Sequence, residues 1–175
     1  VCAGAADLGE NYGTEMAAKV SAVPGARWHF LGSVQRRLVP ALAPHVAVWQ
    51  SVDRVDEGLA IARAAPGAAV LVQVNVSGEP QKGGVAPAAT AALVEQLQGA
   101  GLDVRGLMAI GPVGPPEAAR EGFRQLARLG RQLALTELSM GMSDDLEVGV
   151  QEGATIVRVG RALFGPRPAP GQARN

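Results

Sequence analysis

Strand-like runs that are apolar on nearly every position limit most sharply what this chain can become. The runs AAVLVQVNV (68–76) and TIVRVG (155–160) do not alternate apolar with polar residues. A strand reads this way when both its faces are covered, as in a parallel sheet flanked by helices. Similar runs recur, each followed by a helical pattern. Strands are expected at Ala6–Glu10, Trp28–Leu31, Val46–Gln50, Ala69–Val76, Arg105–Ile110, Glu137–Met140 and Thr155–Val159. Helices are expected at Thr14–Val23, Arg54–Ala65, Pro87–Ala100, Pro116–Leu133 and Asp144–Gln151, with a short Pro-interrupted piece near Arg36–Leu42. Pro87 and Pro116 stand where a first helical residue needs no N–H. Gly67, Gly99, Gly101 and Gly153 stand where helices should end.

Strict alternation of strand and helix gives an α/β fold. No G-x-G-x-x-G follows an early strand, so nothing marks a dinucleotide-binding sheet. The expected fold is a (β/α)8 TIM-type barrel. Eight strands are needed and seven are read, so the sequence reads as a barrel that begins after its first strand. Cys2 and Ala3–Ala6 would close the preceding crossover helix. The strands at Ala6–Glu10 and Thr155–Val159 would then have unpaired edges, which a dimer could pair. Residues 1–165 would form one domain, and the Pro- and Arg-rich 166–175 a disordered tail.

Composition removes several functions. Sixteen Lys and Arg balance sixteen Asp and Glu, so no net field draws the chain to nucleic acid or an anionic membrane. Cys2 is the only cysteine. It permits no intrachain disulfide or cysteine metal cluster, and a cytoplasmic setting is expected. No apolar run approaches membrane-spanning length.

In a parallel barrel the chemistry lies at the C-terminal ends of the strands. Those ends carry GEN (9–11), HFLGS (29–33), QSVD (50–53), NVSGE (75–79), AIG (109–111), SMGMS (139–143) and RVGRALFG (158–165). The loops after the last two strands are where barrels commonly hold a phosphate. Ser143 reads as an N-cap whose hydroxyl can bond helix amides or a phosphate oxygen. Gly141 would let the loop backbone approach a ligand, and Asp144 and Asp145 would suit a first helical turn. Met140 and Met142 read equally as core filler. Arg158 lies between two valines in a strand and needs a partner: a ligand phosphate, a heteroaromatic nitrogen or a carboxylate. His29, between Trp28 and Phe30, reads more readily as a hydrogen-bonded core residue than as a catalyst. No metal-ligand spacing and no Ser/His/Asp order stands out.

LGENY, WHFLG, SVDR, VQVNVSGE with KGG, RGLMAIG, SMGMSDDLE and GATIVRVGRALFG occur in this order. Together they resemble the pyridoxal phosphate homeostasis proteins, also called the proline-synthase co-transcribed family. The resemblance implies a barrel of the alanine racemase N-terminal type, with pyridoxal 5′-phosphate (PLP) as cofactor. It implies a non-catalytic carrier or buffer, monomeric or weakly dimeric, with PLP-dependent apo-enzymes as partners. It implies that Ser143 and the Gly160 backbone hold the phosphate and that Arg158 lies against the phosphate or ring. Asn11, His29 and Met142 would line the pocket. The family forms its Schiff base through a lysine in a V-S-K-type segment at the end of the first strand, and this sequence has no such segment. Lys19 reads as an exposed helix residue. Lys82 falls in a loop on the active-site face and matches the family's loop lysine. The family's L-Q-x-N-K is VQRRL here, with Gln35 kept and Arg37 and Leu38 replacing Asn and Lys. Two other readings stand beside this one: a PLP-dependent amino-acid racemase or decarboxylase, and a remnant that keeps the fold without binding.

Overall fold

The computed structural model describes residues 4–79 and 82–165. Seven strands, β1 (Asp7–Glu10), β2 (Arg27–Phe30), β3 (Val46–Val52), β4 (Ala69–Gln73), β5 (Asp103–Met108), β6 (Glu137–Met142) and β7 (Ile156–Arg158), pair in sequence order. Every pairing is parallel. Helices α1 (Gly13–Val20), α2 (Val39–Leu42), α3 (Val55–Ala64), α4 (Thr90–Gly99), α5 (Arg120–Gln132) and α6 (Leu146–Gln151) connect them, and α7 (Arg161–Phe164) follows β7. A sequential order with helical crossovers curls the sheet one way, giving a nearly closed parallel barrel. Among the described residues, β1 and β7 each have one neighbour. Val157 and Val159 are accordingly exposed, whereas β4 is buried at every position.

The core has two parts of unequal size. The larger lies between sheet and helices and includes Phe30, Trp49, Ile61, Val70, Val72, Leu97, Leu107 and Phe123. The smaller is inside the barrel: Val48, Ala69, Leu71 and Met108, with Ile156 against them. Two residues further toward the C-terminal ends, the alternation that brings Val48 and Ile156 inward places Gln50 and Arg158 on the same face. Apolar layers thus give way to a polar one where a barrel keeps its site.

Several boundaries differ from those the sequence suggests, and each has a local reason. β5 starts at Asp103, and its register on β4 skips one residue between Val104 and Gly106. That bulge shifts the period-two pattern and hides the strand's start. β4 stops at Gln73, after which Val74 makes an isolated bridge to Val85. β6 runs on to Met142 because Gly141, at φ 88°, absorbs a second register shift. α6 starts at Leu146, not Asp144, and α7 was not anticipated. Residues 4–6 are not helical; residues 1–3 and the suggested tail lie outside the described residues. Gly67, Gly101 and Gly153 do end helices, each with positive φ. At Gly153 the following N–H returns to the Gly149 carbonyl in a 6→1 closure.

Candidate functional site

Arg158 leaves β7 opposite Met142 and crosses beneath β6 toward β5. Its Nη1 donates to the Ser139 carbonyl at 2.8 Å and to Ser139 Oγ at 2.7 Å; its Nη2 donates to the Ala109 carbonyl at 2.8 Å. Neutral oxygens therefore hold the guanidinium, and among the described residues no carboxylate forms an ion pair with it. Burial pushes its pKa down to about 10, and the nearby charge of Asp145 offsets part of that.

The hydrogen bonding continues across the barrel. Ser139 Oγ donates to Gln50 Oε1 at 2.7 Å, and Gln50 Nε2 donates to His29 Nδ1 at 2.6 Å. His29 Nε2 then donates to Asp7 Oδ1 at 3.0 Å, where Arg27 Nε also donates at 2.8 Å. With a neutral imidazole, only this direction gives every donor an acceptor, so the proton sits on Nε2. Burial raises the Asp7 carboxyl pKa, but hydrogen bonds from Arg27 and His29 outweigh it and hold the group below the usual carboxylate value. The chain of bonds links β7, β6, β3, β2 and β1, so both edges of the open barrel meet through its interior. Gln50→Leu should cost about 2–3 kcal/mol in urea unfolding, because it strands the buried Ser139 hydroxyl and His29 Nδ1. An unchanged midpoint would show that the bridge contributes nothing to stability.

The corner between β6 and β7 supplies a second set of donors. Ser143 does not cap its own helix, contrary to the sequence reading. Its Oγ accepts the Ala162 N–H at 3.0 Å, in the first turn of α7. Asp145 is the N-cap of α6 and accepts the Met142 N–H at 2.6 Å. Asp144 pairs with Arg161, strapping the two loops together. The first amides of a helix have no partner within it. Those of Gly160 and Arg161 find no acceptor among the described residues. A methyl on Gly160 would meet nothing within 4 Å. Gly141 packs its backbone on α6, where a Cβ on Gly149 would lie 2.9 Å from the Gly141 Cα.

The residues expected to share one pocket do not all adjoin directly. Met142, Ser143, Arg158 and Gly160 gather at the β6–β7 corner. His29 is buried inside the barrel and reaches that corner only through Gln50 and Ser139. Asn11 directly follows β1 and borders a pocket of about 220 Å³ with Tyr12, Ser33 and Trp49. Both lysines are bound to carboxylates. Lys19 bridges Glu10 and Glu15, and the Glu10 hydrogen bond raises its pKa above the ordinary lysine value. Lys82 holds Glu79 at 2.7 Å and donates to the Gly111 carbonyl at 2.9 Å. Asp7, Gln50 and Ser139 went unnoticed in the sequence. The signal for the last two was available: a polar residue inside the apolar strands VAVWQSV and ELSMGM, the same oddity that marks Arg158.

The donor set suits a phosphate. It combines a hydroxyl, two amides without an acceptor among the described residues and a guanidinium with two N–H groups to spare. Comparisons with known proteins show what the chain is similar to. Residues 1–168 match the family model described as "Alanine racemase, N-terminal domain". A pyridoxal phosphate homeostasis protein of Deinococcus radiodurans is 44% identical over 161 residues, covering 90% of this chain and 76% of that protein. One of Pseudomonas aeruginosa is 42% identical over 175 residues, covering 94% and 76%. Among solved structures, PipY of Synechococcus elongatus with PLP bound superposes with a TM-score of 0.81 at 33% identity, covering 94% of this chain and 84% of PipY. No helix among the described residues is long and apolar enough to cross a membrane.

Proposed function

The chain belongs to the pyridoxal phosphate homeostasis proteins of the alanine racemase N-terminal domain family, and on that premise we propose that it binds PLP as a carrier or buffer, without turnover. The observation that carries the reading is Arg158: a partly buried guanidinium with neutral acceptors and spare donors, beside the Ser143 hydroxyl and the Gly160 and Arg161 amides. Ser143 and the Gly160 amide would take the phosphate, with Arg158 against the phosphate or ring and Met142 as a wall. His29 serves as a positioning residue, because Gln50 and Asp7 occupy both its nitrogens. Asn11, at the C-terminal end of β1, would line the mouth.

When bound, PLP supplies an aldehyde for amines and an electron-withdrawing ring. The chain's own part is to fix the anion and hold Arg158 in place. Lys82 is tied to Glu79 and Gly111, so attachment here rests on the phosphate contacts alone. Residues 1–165 would be the binding domain, acting in the cytoplasm as a monomer or weak dimer and handing the cofactor to PLP-dependent apo-enzymes.

A PLP titration of the wild type and Gly160→Ala tests this. The methyl has open space in the protein but enters the room a phosphate would use. The variant should keep its melting temperature and bind PLP about tenfold more weakly or worse. Borohydride reduction with peptide mapping should find no lysine adduct. Equal binding by both proteins would sink the phosphate assignment, and an adduct on Lys82 would replace the non-covalent reading.

A further inference from the structure

We infer that Gln50 is a positioning residue for Arg158, and that through it the proton count of His29 governs how firmly the guanidinium is held. The effect on cofactor binding rests on the PLP reading of the β6–β7 corner; the coupling itself belongs to the protein without ligand.

Every bond in the bridge has a fixed direction. The Asp7 carboxylate accepts the His29 Nε2–H at 3.0 Å and has nothing to donate. His29 Nδ1 is therefore an acceptor, and the Gln50 amide must turn its NH2 toward it, at 2.6 Å. The Gln50 carbonyl then faces Ser139 and takes its hydroxyl proton at 2.7 Å. In that order both lone pairs of Ser139 Oγ are open to Arg158 Nη1, at 2.7 Å. The other two acceptors of Arg158 are backbone carbonyls, so this hydroxyl is its one side-chain anchor among the described residues. Gln50 and Ser139 are 1% and 0% exposed, and the layer beneath them is Val48, Leu71 and Met108. Neither solvent nor a neighbouring side chain replaces a bond lost here.

A second proton on His29 reverses the order. Nδ1 then donates, and it faces the donors of Gln50, so the amide must turn over. Its NH2 now points at Ser139 Oγ, and the hydroxyl proton has lost its acceptor. That proton goes unpaired or turns against the guanidinium, and either weakens the hold on Arg158. The charged groups around His29 are few. Asp7 faces it from β1, and Arg27 of β2 shares that carboxylate. Gln50 of β3 is neutral, and Arg158 of β7 lies beyond Ser139. Glu137 stands two residues before Ser139 on the same face of β6, near Arg105 of β5. The sign follows from reciprocity: if the second proton loosens Arg158, PLP affinity falls as pH falls through the titration of His29.

The test compares wild type with Gln50→Glu, whose two oxygens accept from Ser139 and from a protonated His29 at once, with no turning over. Spectra of 15N-labelled protein without PLP follow the His29 ring and the Arg158 Nε–H from about pH 8 to 5, where an imidazole takes up its second proton. The sequence has two histidines, and His45→Gln, at an exposed position, isolates the signal of His29. Arg158→Met identifies the arginine signal by its loss. In wild type the two signals should titrate together; in Gln50→Glu the Arg158 signal should hold still. Across the same range the wild-type Kd for PLP should rise about fivefold more than that of Gln50→Glu. Titration of the ligand's own phosphate cancels in that comparison. An Arg158 signal that ignores the His29 titration in wild type, or that moves equally in Gln50→Glu, would overturn the inference. Coupled signals in a protein that binds no PLP would uphold it and remove the PLP reading instead.

Discussion

Gly106→Ala is expected to leave the chain unfolded or barely folded. A Cβ built on Gly106 falls 1.8 Å from the Glu137 carbonyl oxygen and 2.6 Å from its carbon. Both atoms are backbone of the neighbouring strand, so no side chain can swing aside. The overlap follows from the β5 bulge, which turns the missing side-chain direction into the plane of the sheet. Relief requires β5 and β6 to separate where Gly106 pairs with Glu137. Overpacking of ordinary cores costs about 1–3 kcal/mol, and a backbone overlap exceeds it. The expected loss is at least about 3 kcal/mol against the about 5–15 kcal/mol a domain holds. Gly99→Ala is the control, since a methyl there meets nothing within 4 Å. Urea melts monitored by circular dichroism decide it: equal midpoints for the two variants would mean the sheet yields easily at the bulge. Ala109 directly follows β5 and Ser139 lies on β6, so the lesion would also release Arg158.

Arg158→Met should lower PLP affinity by about a hundredfold or more while leaving a folded protein. Hydrogen bonds to charged groups are worth about 1.5–3 kcal/mol, and about 2.7 kcal/mol is a hundredfold. The stability change should be small. The Ser139 carbonyl keeps the Ala109 N–H at 3.0 Å and Ser139 Oγ keeps Gln50, so only the Ala109 carbonyl loses its side-chain donor. Removing a half-buried charge offsets that loss. Arg158→Lys should recover part of the affinity, because it restores charge without the planar fork that spans Ser139 and Ala109. The pH dependence has a fixed sign. The guanidinium is charged below its lowered pKa of about 10 and neutral above it, so affinity should fall as pH rises through that value. Titrations at neutral and alkaline pH, with melts of each variant, measure both effects. Undiminished binding by Arg158→Met would remove this residue from the site.

Much of the architecture was legible before any coordinates. Continuous apolar strands and glycine-punctuated helices give a parallel α/β barrel, and all seven strands occur near their expected positions. The shifted edges sit at bulges, where one extra residue breaks the alternation on which strand reading depends. The β6–β7 corner was legible too, because Ser143, Arg158 and Gly160 stand in runs that adjoin in the fold.

What could not be read was which side chains meet across the barrel. Gln50 and Ser139 are 89 positions apart, yet their side chains are 2.7 Å apart. His29 changes from a supposed pocket wall into one link of that bridge. Local pattern decides secondary structure and strand order, because periodicity and turn chemistry act over a few residues. The family is written in its motifs. The partners of Arg158 and the tautomer of His29 depend on the curvature and register of seven strands closing around one interior, and only the tertiary structure decides them.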